Sequence, residues 1–182
     1  MIIVITGNPG VGKHTITNEV LNHLELSLLD INSIAKDSGL FESNGNTNDV
    51  NVGELEKIIN EKISDFSLIV GHLAPYVISS EKIDKVIVLR KNPYDLFEIY
   101  EKRGYTKEKS KENAGSEALG IIAYDTIAKF GDKVFQINTT AKSVKEISDI
   151  VLKIIKNNYS SETIDWLEMI VKNNDLKKFF AY

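Results

Sequence analysis

The chain of 182 residues contains no cysteine, which excludes disulfides and cysteine-ligated zinc. It also lacks an excess of positive charge. Its 22 lysines and arginines face 26 aspartates and glutamates, for a net charge of −4. This argues against nonspecific grip on nucleic acid through a basic surface, and any RNA partner would be met through a local patch or within a complex. No segment approaches eighteen uninterrupted apolar residues, so no transmembrane helix is expected and no membrane partner. The apolar run at the amino terminus is short and has no basic leader, unlike a signal peptide. Repeats and low-complexity tracts are absent as well. Arginine is scarce, with only Arg90 and Arg103 beside many lysines. What is present is a 42% hydrophobic content, suited to one compact domain over residues 1–182 that buries about 70% of its unfolded surface.

The most informative segment is Gly7-Asn8-Pro9-Gly10-Val11-Gly12-Lys13-His14-Thr15, which follows the apolar run Ile2 to Ile5. Gly7, Gly10 and Gly12 permit backbone angles that turn successive N–H groups inward around an anion. Lys13 adds a mobile positive charge, and a helix starting near Gly12 aims its partial positive end at the same point. Ile16, Val20, Leu21 and Leu24 follow at helical spacing, so the motif sits between a strand and a helix, as a phosphate-binding loop must. The alternative is a Gly-Pro-Gly turn in an ordinary α/β domain with a solvated lysine. The phosphate-loop reading implies phosphoryl transfer or hydrolysis of ATP, and with it a cytoplasmic location.

Apolar runs suited to buried parallel strands recur at Ile2 to Ile5, Leu26 to Ile31, Leu68 to Val70, Val86 to Leu89 and Val134 to Ile137. Helical patterns lie between them, at Leu55-Ile58-Ile59-Ile63, at Leu96 to Tyr100, and from Val144 to Ile155. The alternation predicts an α/β fold with a doubly covered five-stranded parallel sheet. Asn92 before Pro93, and Ser143 with Glu146, read as helix starts. Two regions break the pattern. Phe41 to Gly53 reads as a loop placed where a pocket for a second substrate could hang. Arg103-Gly104-Tyr105 leads Lys107, Lys109 and Lys111 into a polar helix, either as a closing lid or as a solvated face. Residues 160–182 form a helical extension whose Trp166 and paired phenylalanines either pack on the domain or dock a partner.

In the general phosphate loop the lysine is followed at once by Ser or Thr, whose hydroxyl meets Mg²⁺, whereas here His14 precedes Thr15. The displaced threonine resembles the Gly-Lys-Gly-Thr run of adenylate kinases. Mg²⁺ arriving with ATP would then be held largely through water, with no direct protein ligand, and His14 would orient a phosphate or water. Gly71-His72-Leu73, Val86 to Arg90, Glu101-Lys102-Arg103-Gly104-Tyr105, Glu112-Asn113 and Glu117 extend the likeness in order and spacing. Together they resemble the adenylate kinase isoenzyme 6 family, also known as coilin-interacting nuclear ATPases, and especially its archaeal members, over about residues 1–157. The resemblance implies a P-loop kinase three-layer fold with a small nucleoside monophosphate (NMP) insertion near residues 30–53 and a short lid near 102–112. It also implies AMP phosphorylation, ATP hydrolysis, and assistance to small ribosomal subunit maturation with a ribosomal protein and pre-rRNA.

The residue chemistry assigns Gly7, Gly10, Val11, Gly12, Lys13, His14, Thr15 and Arg103 to ATP binding, and Lys13, Arg103 and His72 to catalysis. Arginine's rigid fork suits the spread charge of a transferring phosphoryl group. Arg103 is read either as that group or as a surface ion pair with Glu101 or a neighbour. Arg90, at a strand end, holds either a phosphate or a structural carboxylate. His72 is either water-orienting or structural, and His23 is structural. The resemblance places an acid two residues before the histidine, where this chain has Val70. Either Asp30 then supplies the magnesium-water contact, or metal organisation is weakened. The expected reaction is transfer of the ATP γ-phosphoryl group to AMP. Its rivals are an ATPase assembly factor and a kinase for a metabolite alcohol, which would need a base that the sequence does not present.

Overall fold

Consecutive apolar residues in a strand place alternate side chains on opposite faces, so a run with no polar member must be covered on both sides. The run Ile2 to Ile5 of strand β1 (Ile2–Thr6) does this: its four residues are buried, Ile3 and Ile5 in one core cluster, Ile2 and Val4 in the other. The structure is a computed structural model that describes residues 1–44 and 47–180, the side chains of 41–49 excepted. β1 lies at the centre of a five-stranded, all-parallel sheet with β2 (Ser27–Asp30), β5 (Ser67–Val70), β6 (Lys85–Arg90) and β7 (Val134–Asn138), in the order β2-β5-β1-β6-β7. Each of the five strands matches its predicted apolar run to within one residue at either end.

Helices cover both faces. On the Ile3/Ile5 side lie α1 (Lys13–Leu21), α5 (Pro93–Lys102), α6 (Lys107–Leu119) and α8 (Val144–Ile155), contributing Val20, Tyr100, Ala114 and Val151 to the core. On the other side lie α2 (Ile31–Asp37), α3 (Val52–Lys62), α4 (Ala74–Val77) and α7 (Ile121–Phe130), contributing Ile31, Ile59, Val77 and Phe130. Both predicted caps form. The Asn92 side chain accepts from the Tyr94 amide, and Ser143 with Glu146 makes a reciprocal capping box.

Two expectations are corrected. The second strand stops at Asp30, and Ile31 opens α2 instead of ending the strand. The Asp30 carboxylate accepts from the amides of Asn32 and Ser33, so it caps the helix and ends the strand in one contact. The segment read as a loop from Phe41 carries an antiparallel pair, β3 (Phe41–Asn44) and β4 (Thr47–Val50), followed by α3, which Asn51 caps. Residues 45 and 46 of that segment lie outside the described residues. Ladder hydrogen bonds satisfy a polar backbone without any apolar alternation, which is why composition alone read this stretch as irregular.

The carboxyl-terminal extension packs on the domain. Its helices α9 (Trp166–Lys172) and α10 (Leu176–Phe179) bury Ile170 and Phe179 against α5 and α6, with the Phe179 ring 4.9 Å from that of Tyr94 and perpendicular to it.

Candidate active site

The loop after β1 takes its shape from crowding below and open space above. Gly7 has φ 136°, and a Cβ there would sit 2.3 Å from the Leu89 carbonyl oxygen. Gly12 has φ 96° with nothing near a Cβ, so its need for glycine is the left-handed backbone alone. Val11 is buried in the core and anchors the loop by its side chain, leaving only its backbone to face a ligand. The Tyr100 hydroxyl donates to the Pro9 carbonyl at 2.7 Å, fixing the outer edge of the loop to α5.

Lys13 is 6% exposed. Its ammonium donates to the carbonyls of Gly7 and Asn8, each at 2.9 Å. Burial pushes its pKa down from 10.5 to about 8, and the Arg103 guanidinium adds to the fall while Glu117 and Asp30 oppose it. The loop thus holds a desolvated cation against its own backbone, ready to exchange two carbonyls for a stronger anion.

A cavity of about 210 Å³ opens over this loop, lined by Gly10, Gly12, Lys13, His14 and Thr15, with Arg103 and His72 from across the site. Arg103 caps the end of α5, where Gly104 (φ 70°) reverses the chain, and among the described residues it forms no ion pair, so the partner with Glu101 does not occur. His72 follows β5. Burial and the nearby Lys13 push its pKa from 6.5 down to about 4, which leaves it neutral at physiological pH. His14 Nε2 lies 2.8 Å from Asp30 Oδ2. In the β2–β5 register Asp30 pairs with Val70, so a carboxylate stands one strand aside from the position where the resemblance expects one. Val70 itself is fully buried. The Thr15 hydroxyl and the Asp30 carboxylate are oxygen donors of the kind that would suit a Mg²⁺ ion accompanying a nucleotide.

Arg90 is not at this cavity. It is 3% exposed; its Nε donates to Glu117 Oε1 at 2.7 Å, its Nη1 to Gln136 Oε1 at 2.8 Å, and its Nη2 to the Glu117 carbonyl at 2.9 Å. Of the two readings of Arg90, the phosphate contact is therefore corrected to a structural carboxylate partner. With three of its five N–H groups donating to protein acceptors and the side chain buried, the guanidinium is not presented to a nucleotide.

A second cavity, of about 770 Å³, adjoins the first and shares Pro9, Asn32, His72 and Tyr105 with it. Its described wall residues include Lys36 from α2 and Lys109 from α6 but no carboxylate, with Leu73 and Ile122 among the apolar members. Tyr105 stacks on Tyr100 with ring centroids 5.4 Å apart, and the Lys109 ammonium lies 4.7 Å over its ring. The three lysines of the polar helix therefore differ: Lys109 faces the cavity, Lys111 donates to the Lys177 carbonyl, and Lys107 is exposed. Sequence reasoning missed Tyr105, Asn32 and Lys36 as wall residues. The available signal was weak: a tyrosine after the glycine of a helix stop, and polar residues just after the Asp30 cap.

A family model described as an AAA domain matches residues 3–120, from the first strand through the phosphate loop to the end of α6. The chain belongs to this AAA domain family. Full-length relatives carry the name "Putative adenylate kinase". That of Thermococcus kodakarensis is 30% identical over 172 residues, covering 93% of this chain and 94% of its own. That of Methanosarcina barkeri is 30% identical over 187 residues, covering 93% and 100%. Among solved structures, the YorR protein of Bacillus subtilis in complex with phosphorylated GDP superposes with a TM-score of 0.62 at 17% identity, over 86% of this chain and 96% of its own. Shikimate kinase from Acinetobacter baumannii gives 0.56 at 20% identity, over 86% and 93%. The fold of this AAA domain protein is thus that of P-loop kinases. Among its described residues no helix is long and apolar enough to cross a membrane.

Proposed function

We propose that the protein is a nucleoside monophosphate kinase that transfers the ATP γ-phosphoryl group to AMP, yielding two ADP. The observation that carries this reading is the pair of adjoining cavities. One is built for a polyphosphate around Lys13, and the other has, among the described residues of its walls, two lysines and no carboxylate in a protein of net charge −4. Such a pocket favours an acceptor that is already anionic. A phosphate acceptor needs no general base, whereas an alcohol does. The archaeal relatives' name and the resemblance to the adenylate kinase isoenzyme 6 family support AMP as that acceptor.

In this reading ATP enters as its Mg²⁺ complex, and amides from Gly10 to Thr15 surround its phosphates. Lys13 leaves the Gly7 and Asn8 carbonyls for the β and γ oxygens. Arg103 covers the γ-phosphate as the 102–112 segment closes, and His14 and Asp30 at the loop mouth would hold a Mg²⁺ ion carried by the nucleotide through its waters, the ion supplying charge neutralisation at the phosphates. The acceptor phosphate approaches from the larger cavity, between the 30–53 insertion and α6, and its oxygen attacks the γ-phosphorus as the β–γ bridging oxygen departs. The protein's contribution is alignment and charge stabilisation.

A second reading is an ATPase that serves small ribosomal subunit maturation. One observation favours its chemistry: His72, neutral and shared by both cavities, can accept a hydrogen bond from a water at the γ-phosphate. The ribosomal protein and pre-rRNA partners rest on the family resemblance alone.

Product analysis separates the two readings. With γ-labelled ATP and an acceptor panel of AMP, CMP, UMP, GMP and water alone, the kinase reading expects label on AMP-derived ADP and turnover that depends strongly on AMP. Phosphate release at the same rate without any acceptor would support the ATPase and defeat the kinase.

A further inference from the structure

The fully buried Glu117 is not used by the transfer chemistry, yet its carboxylate joins the phosphate loop to the carboxyl-terminal extension. Oε2 accepts from the Asn8 side-chain amide at 2.7 Å. Oε1 accepts from Arg90 Nε at 2.7 Å, the Lys91 amide at 3.0 Å and Trp166 Nε1 at 3.1 Å. Asn8 is held on its other side too, since Oδ1 accepts from the Ser116 hydroxyl at 3.2 Å, and its main-chain carbonyl is one of the two that hold Lys13. Trp166 opens α9, beyond the span of the AAA domain match. Ile170 and Phe179 lock that extension to the core, and Gly115 of α6 admits it so closely that a Cβ would meet the Phe179 carbonyl at 3.1 Å.

We propose that Trp166 and Glu117 are positioning residues for the nucleotide: docking of the 160–180 extension fixes the Glu117 carboxylate, which fixes Asn8 and hence the loop carbonyls around Lys13. The physical ground is that a buried carboxylate holds charge-assisted hydrogen bonds that leave little rotational freedom. Removing the indole donor leaves Oε1 with only the Arg90 and Lys91 donors, which loosens the carboxylate's orientation and with it the acceptor that sets the place of Asn8. By reciprocity, nucleotide at the loop must act on the extension as strongly as the extension acts on nucleotide. Asn8 is the point through which both effects pass.

This inference rests on the proposed nucleotide site but not on the acceptor, so the test uses Mg²⁺–ATP alone. In calorimetry, Trp166→Phe raises the ATP Kd roughly fivefold, the loss expected of one weakened charge-assisted contact, and nucleotide-free melting falls by only a few degrees. In an Asn8→Ala background the same exchange no longer changes Kd. An unchanged Kd for Trp166→Phe, or full multiplication of the two effects, overturns the proposal while leaving the nucleotide site standing. Absence of ATP binding by the unmodified protein overturns both. Should Trp166→Phe fail to fold, the unmodified protein still decides, because Trp166 is the only tryptophan. Saturation with Mg²⁺–ATP shifts its emission, and constant emission across a calorimetrically verified titration refutes the link.

Discussion

The two arginines of the chain have opposite environments, and their substitutions should separate accordingly. Arg90 is one half of a buried pair with Glu117, so Arg90→Ala leaves a carboxylate uncompensated and is expected to cost about 3–5 kcal/mol in denaturant unfolding. Arg103 is exposed at a helix end. Arg103→Ala should leave stability within about 0.5 kcal/mol but lower kcat about a thousandfold if the guanidinium meets the transferring phosphoryl group. Lys13 carries a pH signature. With its pKa at about 8 in the folded protein against 10.5 unfolded, the unfolded chain binds more protons between those values. The cost of burying the ammonium is therefore fully present below pH 8, and stability rises with pH through that window. ATP needs the ammonium, so its Kd should climb above pH 8 by up to about tenfold per pH unit, and Lys13→Ala should abolish both this slope and turnover. His72 has the same sign at lower pH. Its pKa is held at about 4 against 6.5, so stability falls as pH drops from 6.5 to 4, and comparison of His72→Gln with the parent by denaturant titration should show that part of the slope removed.

At the scale of elements, the junctions matter more than the elements. The β2–α2 turn brings Asp30 to the mouth of the phosphate loop because Ile31 packs directly on Gly71, where a Cβ would lie 2.7 Å from the Ile31 Cβ. Gly71→Ala is expected to cost about 1–3 kcal/mol through overpacking, and to raise the ATP KM by displacing Asp30 and His14, readable by thermal melting and initial rates. The strands and the main helices were legible because an apolar run or a 3.6-residue stripe must bury a face whatever its neighbours are. The hairpin of β3 and β4 was not, since its pairing rests on main-chain hydrogen bonds that a polar sequence neither requires nor forbids. α6 was read as a polar helix, yet Ser110, Ala114, Glu117 and Ala118 are buried along one face. A glutamate in a small-residue stripe, with arginine so rare elsewhere, was the available sign of a buried pair.

For the molecule as a whole, the extension is part of the core rather than an appendage. Phe179→Ala should cost about 3–5 kcal/mol, measured by denaturant unfolding, because Tyr94 and Phe97 pack directly against that ring. The sequence by itself determined the parallel sheet, the phosphate loop and the cations that crown it, because these follow from local patterns: apolar runs, glycine spacing and one lysine at a helix start. Only the tertiary structure decided that Arg90 is consumed by Glu117, that Arg103 and His72 line one cavity over the loop, and that a lysine-bearing cavity adjoins the phosphate cavity. Those facts depend on which distant segments approach one another, and residues 27 positions apart along a chain, as Arg90 and Glu117 are, leave no mark of their meeting in its local spacing.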